Sequence, residues 1–565
     1  MPPLETPGEE EEEYGQPDGE NVWDAAVCVD IDDELPVSNK CLDFKVLWTY
    51  MGPGWLMSIA YLDPGNLEAD LQAGAYAGYE LLWVLLWCTF MGLVLQVLAA
   101  RLGVVTGRNL AQMCREEYGK KTVWLLWIMT ELAIIGSDIQ EVIGGAIALH
   151  VLLRVPLPAG TIIMACSTFA LLWVQRFGIR KVEAIFAALI GVMIVAFWSA
   201  MVIADPDPVA VVEGVFVPRV SSYAVTQAVG ILGAVIMPHN IYLHSALVTS
   251  RKLNRNNSPR VRESLKYNTI ESSLALLVSF LINLAVVATF ASSYFQKECA
   301  SRCEGSFQGC VPVLGLDSTF INPGLCLPGG GFSNVTQTCV PAGFSGTQQP
   351  AGGFVCANIG LNNAGEALEH VFPHTNAAKY IWGIGLLAAG QASTITGTYA
   401  GQFVMAGFLN FQIKAWQRML FTRMVALGPA VAVAWLTQGF PNTSDETNEW
   451  LNVLQSVQLP FALLPVLHLT SQRRVMGQFA NGVGIKLLCW ALTVVVLVTN
   501  IYLVYVSIDG VSMGVLVLVL VAAAAYFSFI VIIIIEDLRQ FGRWVTCSSR
   551  DEGVTAYSEI AGLNC

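Results

Sequence analysis

Apolar residues in this chain run in long stretches, not in the alternation of strands or the single stripe of surface helices. A helix crossing a bilayer needs about 20 such residues. Twelve runs of suitable length are readable, at about 46–76, 81–103, 122–152, 157–175, 182–204, 224–249, 271–293, 377–409, 416–438, 449–470, 484–507 and 511–536. They predict an all-α polytopic membrane protein with about 12 transmembrane helices. Two of the runs are interrupted by helix-breaking peptides. Asp63-Pro64-Gly65-Asn66 lies in the first and Met237-Pro238-His239-Asn240 in the sixth. Proline removes a backbone donor and clashes with the preceding turn, and glycine loosens the turn further. Inside hydrocarbon that damage persists only where the backbone is buried in protein or lines a cavity. A pair of interrupted spans in the two halves of a chain is the pattern of a secondary transporter that binds its substrate at mid-membrane. The breaks carry a carboxylate, a carboxamide, a thioether and an imidazole, a donor set suited to a divalent transition metal.

Composition supports a membrane protein. The 565 residues are 54% hydrophobic and only 13% charged. The net charge of −13 is concentrated at one end, because residues 1–45 hold 14 acidic and 2 basic side chains. That segment, with the run Glu9 to Glu13, is expected to be a disordered acidic tail. It has no early apolar run, so no cleavable signal peptide is expected and the first span serves as the targeting signal. Basic residues set the orientation. Arg101, Arg108, Arg115, Lys120 and Lys121 follow the second span, and later even-numbered loops carry Arg176, Arg180 and Lys181, then Arg251, Lys252, Arg255, Arg260 and Arg262, then Lys414, Arg473 and Arg474. Odd-numbered loops have few, and two are acidic. Both termini are therefore expected in the cytoplasm.

The segment at about 294–376 falls on the opposite face and holds Cys299, Cys303, Cys310, Cys326, Cys339 and Cys356. An even number there reads as three disulfides with fifteen possible connectivities. A zinc site is the alternative, but no CxxC pair is present and His370 and His374 lie beyond the cysteines. Asn334-Val335-Thr336 in this loop and Asn442-Thr443-Ser444 in another outer loop are glycosylation acceptors. The matching Asn256-Asn257-Ser258 falls in a cytoplasmic loop, where it is inert.

Three motifs resemble the Nramp family of divalent-metal transporters, closest to its eukaryotic branch. Gly52-Pro53-Gly54 through Ile59-Ala60-Tyr61-Leu62-Asp63-Pro64-Gly65-Asn66 is similar to that family's first helix. Gly233 to Ala246 (GAVIMPHNIYLHSA) is similar to its sixth, and GQASTITGTYAGQFVMAGFL from Gly390 to Leu409 to its transport signature. The similarity extends from about residue 45 to 540. The resemblance implies an inverted 5+5 repeat, the fold of the sodium-coupled amino-acid symporters, with helices 1 and 6 broken. One repeat would span 46–204 and the other 224–470, interrupted by the cysteine-rich loop. Spans at 484–536 would be peripheral helices 11 and 12, with a cytoplasmic tail at 537–565.

A divalent ion leaving water needs compensating charge, which Asp63 supplies. Asn66 offers a neutral oxygen from the same turn. Unwinding frees carbonyls, with Ala234 best placed to use one, and the Met237 sulfur favours manganese, iron and softer ions over calcium and magnesium. The resemblance assigns metal contacts to Asp63, Asn66, Ala234 and Met237. It also points to Asn452, where the family usually has glutamine; Asn452 or Gln391 is expected to complete the coordination as the site closes.

On the third span Glu131, Asp138 and Glu141 share a helical face. Acids inside an apolar run line a wet pathway or pair with cations. The bland alternative is an ion-pair network that only fixes packing. The resemblance places a proton route through Asp138, Glu141 and Arg418, to which Glu131 and His239 are added here; Arg423 and His244 are lesser candidates.

Together these readings predict a proton-coupled importer of Mn2+ and Fe2+ working by alternating access, with protons as coupling ion, no bound cofactor, no nucleic-acid partner and a monomeric transport unit in the bilayer. The plasma membrane and endosomal or vacuolar membranes fit equally. No covalent step is implied, so an enzyme is not expected, and the absence of a Walker motif argues against an ATP-driven pump. The alternatives are a metal-sensing receptor with a transporter-like domain, an amino-acid symporter of the same fold and a magnesium-selective relative.

Overall fold

The structure, a computed structural model, describes residues 42–175, 179–295, 377–409, 441–508 and 513–548, with short strands at 29–30 and between 309 and 357 and isolated positions between 360 and 435. It is almost wholly helical. The first apolar run is divided into α1 (Phe44–Tyr50), α2 (Pro53–Ile59) and α3 (Pro64–Ala77). Proline opens both α2 and α3, at the helical position where a missing N–H removes no intrahelical bond. Next come α4 (Leu82–Thr106), α5 (Leu110–Glu117), α6 (Lys120–Leu153), α7 (Leu157–Gln175), α8 (Ile179–Ala204) and α9 (Pro208–Phe216). The sixth predicted span is also two pieces, α10 (Val225–Val235) and α11 (Pro238–Leu247), restarted by Pro238. α12 (Ser258–Tyr294) precedes the loop, and the helices Ala377–Leu409, Pro441–Gln458, Pro460–Ser471, Val483–Ile508 and Met513–Ser548 follow it.

Among the described residues, 7 helical segments are long and apolar enough to cross a membrane unaided. The first predicted span is not one of them because it is divided into helices of 7, 7 and 14 residues, whereas the broken sixth still counts as one 26-residue segment. The span expected at about 416–438 lies mostly outside the described residues.

Burial separates centre from rim. The apolar window of Val225–Ser250 is 100% buried, whereas that of Val483–Tyr505 is 28% buried. The outer helices turn Val195, Val202, Leu487, Val494, Val498 and Val521 outward. An apolar perimeter of this kind is matched to lipid. The protein is an integral membrane protein whose two broken spans lie inside the helical bundle. Within it α6 runs along Ala377–Leu409, and α12 along α2, α3 and α4.

The start of α2 is held by two buried side chains. The buried Glu271 carboxylate accepts from the backbone N–H groups of Gly52, Gly54 and Trp55. Buried Arg251 donates to the Met51 carbonyl at 2.6 Å and to Glu183 at 2.8 Å. Gly52 makes this possible, since its φ of +145° suits only glycine and a Cβ there would lie 2.0 Å from Glu183 Oε1.

Short strands supply the remaining structure. Val29–Asp30 pairs in parallel with Arg251–Lys252. Gly309–Pro312 pairs antiparallel with Phe354–Ala357, which sets Cys310 opposite Cys356, and Gly331–Ser333 pairs with Thr338–Val340, which sets Cys339 opposite Phe332. Cys299, Cys303, Cys326 and Asn334 lie outside the described residues, and Asn442 sits in the first turn of Pro441–Gln458.

Candidate metal site

The first break arises because Pro64 cannot donate to the carbonyl of Ala60 four residues earlier. The chain turns through 60–63 and restarts with Asp63 as the N-cap of α3. Asp63 Oδ1 accepts from the backbone N–H of Asn66 at 2.8 Å and from its Nδ2 at 2.7 Å. Pointing the Asn66 amide nitrogen at Asp63 turns its oxygen the other way. That oxygen, Asn66 Oδ1, is buried and has no hydrogen-bond partner among the described residues. A buried acceptor of this kind is costly unless a cation or donor arrives.

The second break follows the same rule. Pro238 has no N–H, so the carbonyl of Ala234 loses the donor an unbroken helix would give it. Met237 caps α11 with an extended backbone and its side chain is 1% exposed. The two breaks are joined directly, because Asn240 Nδ2 donates to the Ala60 carbonyl at 3.3 Å. Asn283 Nδ2 donates to the Tyr61 carbonyl at 3.0 Å and Ser279 Oγ to that of Ser58 at 2.9 Å. The freed carbonyls of the first break are thus largely taken by side chains, while the Asp63 carboxylate and the Asn66 carboxamide oxygen sit at that break and the Met237 thioether at the second. Among the described residues no three His, Cys, Asp or Glu side chains converge.

The family of the chain follows from comparison. The model described as "Natural resistance-associated macrophage protein-like", Nramp, matches residues 54–335 and 346–506. The chain belongs to the Nramp family. Metal transporter Nramp3.2 of Populus trichocarpa is 46% identical over 88% of each chain, and metal transporter Nramp3 of Arabidopsis thaliana is 45% identical over 89% of each. The metal transporter nramp1 homolog of Dictyostelium discoideum is 46% identical over 82% of this chain and 76% of its own. Among solved structures, the manganese transporter of Eremococcus coleocola with an aromatic bis-isothiourea compound superposes with a TM-score of 0.70 at 27% identity, covering 91% of this chain and 99% of that one. These relatives are named as transporters, and the chain is a transport protein rather than an enzyme. Both break peptides and the Gly390–Leu409 motif fall inside the Nramp match, whereas residues 336–345, within the cysteine-rich loop, fall outside it.

The acids of this Nramp chain line a separate interface. Asp138 and Glu141, both buried in α6, face Gly397 on Ala377–Leu409: a Cβ there would lie 2.7 Å from Asp138 Oδ1 and 3.0 Å from Glu141 Oε2. Glu141 Oε1 also accepts from Ser137 Oγ at 3.1 Å. Glu131 Oε2 is buried without a hydrogen-bond partner among the described residues. Arg418 and Arg423 lie outside those residues. His239 and His244 are buried in α11; Nδ1 of the first and both ring nitrogens of the second lack a partner among the described residues.

Two polar groups on other helices take different places. Gln391 accepts from Ser167 Oγ at 3.0 Å and directs its amide nitrogen to the Met164 sulfur, so it is engaged with α7. Asn452 reaches the first break, donating from Nδ2 to the Gly65 carbonyl at 3.1 Å and accepting at Oδ1 from Gln140 Nε2 at 2.8 Å. Sequence reasoning missed Gln140, Asn240 and Asn283. Their roles depend on which helices are neighbours, and only the flanking proline of Asn240 hinted at one.

Proposed function

We propose that the chain is a proton-coupled secondary transporter that carries Mn2+ and Fe2+ into the cytosol by alternating access. The observation that carries this reading is the unpartnered, buried Asn66 oxygen beside Asp63, next to a second break that supplies a thioether. Asp63 offsets the charge of the ion, Asn66 Oδ1 and the Ala234 carbonyl give neutral oxygens, and Met237 gives the soft contact that hard cations use poorly. Asn452 adds its remaining lone pair as the site closes. Relatives named as metal transporters, and a solved relative named as a manganese transporter, support the choice of ion.

Protons take the route along α6 through Glu131, Asp138 and Glu141, with Arg418 and His239 as further members. The packing of two of these acids against Gly397 supports a path distinct from the ion's. The chain then divides into repeats at 46–204 and 224–470, with peripheral helices at 484–536 and tails at 1–45 and 537–565. Both termini face the cytosol of a cell-surface or endosomal or vacuolar membrane, and the transport unit is a monomer. The loop at 294–376 carries disulfides among its six cysteines, for one of which the Cys310–Cys356 register is favourable, and Asn334 and Asn442 carry glycans.

Reconstitution tests the reading. Native protein in liposomes accumulates Mn2+ when an inward proton gradient is imposed, and Asp63→Asn, which keeps the shape and removes the charge, accumulates none. Equal uptake by the two proteins would sink the proposed site.

A further inference from the structure

Gln140 is fully buried, and although it sits between Asp138 and Glu141 in sequence it serves a different neighbour. Its Nε2 donates to Asn452 Oδ1 at 2.8 Å and to the Asn448 carbonyl at 2.9 Å. Its Oε1 accepts from Gln455 Nε2 at 3.1 Å. Both N–H bonds and the oxygen are committed, so a flipped carboxamide would set its oxygen against two acceptors. Asn452 passes the constraint on, donating to the Gly65 carbonyl at 3.1 Å. Three carboxamides therefore form a directed chain, Gln455 to Gln140 to Asn452 to Gly65, in which each donor strengthens the next.

The end of that chain is the peptide unit joining Gly65 to Asn66. Its carbonyl is held by Asn452, and its N–H is held by Asp63 Oδ1 at 2.8 Å. The plane of this peptide fixes the base from which Asn66 projects, and its N–H fixes the rotamer of Asp63. Gln140 also packs on the same residue, since a Cβ on Gly65 would lie 2.9 Å from its carboxamide.

We propose that Gln140 is a positioning residue for the ion site: through Asn452 it clamps the Gly65–Asn66 peptide so that the oxygens of Asp63 and Asn66 converge on a small divalent ion. This rests on the transport reading above. The partners that orient metal ligands typically contribute tenfold to a hundredfold in affinity.

The test compares native protein with Gln140→Leu, Gln140→Glu, Asn452→Leu and the double variant Gln140→Leu/Asn452→Leu. Mn2+ binding is measured by calorimetry in detergent, and uptake kinetics in liposomes. Gln140→Glu keeps the size and loses the donated hydrogen bonds, so it decides the matter if the leucine variant does not fold. The expected result is a KM and a dissociation constant raised roughly tenfold or more by either Gln140 variant, with maximal uptake within about twofold of native. The double variant is no weaker than the worse single variant, because the effect travels through Asn452. Native affinity in a folded Gln140 variant would overturn the proposal, as would losses that multiply in the double variant. Failure of the native protein to bind Mn2+ would instead overturn the transport reading on which it stands.

Discussion

At the scale of single residues, the account depends on which polar atoms are left over once hydrogen bonds are assigned. Asp63 spends one oxygen on Asn66, and Asn66 is left with a buried oxygen that has no donor. Such an atom is costly to leave without a donor or a cation in a buried site. The same reasoning applies to Gly397, which leaves room for the carboxylates of Asp138 and Glu141. Gly397→Ala places a methyl group 2.7 Å from Asp138 Oδ1 and forces that carboxylate aside. The expected outcome is Mn2+ uptake whose stimulation by an inward proton gradient falls several-fold, measured against native protein at matched expression; undiminished stimulation would separate these acids from proton movement. That Asp63, Asn66 and Met237 lie at helix breaks was legible in the sequence, because a proline beside a polar residue in an apolar run is a local signal. Gln140 was not, since its hydrogen bond joins it to Asn452, 312 positions away, and sequence spacing reports faces of one helix only.

At the scale of elements, the two broken helices owe their geometry to Pro64 and Pro238, and their stability to side chains from other helices. Asn240, Asn283 and Asn452 each donate to a carbonyl of the first break or its flank. Where the breaks would fall was readable, but how they are braced was not. Gln391, a polar residue within a family-like motif, is held by Ser167 on α7, a pairing that no periodicity along its own helix could reveal. The short helix α2 is the element most exposed to a single change. Gly52→Ala forces an L side chain into a positive-φ conformation and into the Arg251–Glu183 pair. Backbone strain alone costs about 1–3 kcal/mol. A lower thermal midpoint of the purified protein, by several degrees, is expected in a fluorescence-detected melting experiment. A midpoint equal to native would show that α2 is not anchored by this pair.

At the scale of the whole molecule, the helical class and the central place of spans one and six were read from hydrophobic runs and helix breakers alone. The span count was harder to recover, because the first span is divided into three short helices and the region at about 416–438 lies mostly outside the described residues. On this account selectivity comes from the two breaks, with a thioether at one and a carboxylate and carboxamide at the other, in the buried centre of a lipid-facing bundle. The most direct measurement is uptake of Mn2+ and Ca2+ into liposomes under an inward proton gradient, for the native protein and for Met237→Ala. The account predicts that native protein moves Mn2+ and excludes Ca2+, and that the variant loses most of this discrimination. Native protein that moves neither ion while remaining folded, or a variant that discriminates as well as native, would contradict it.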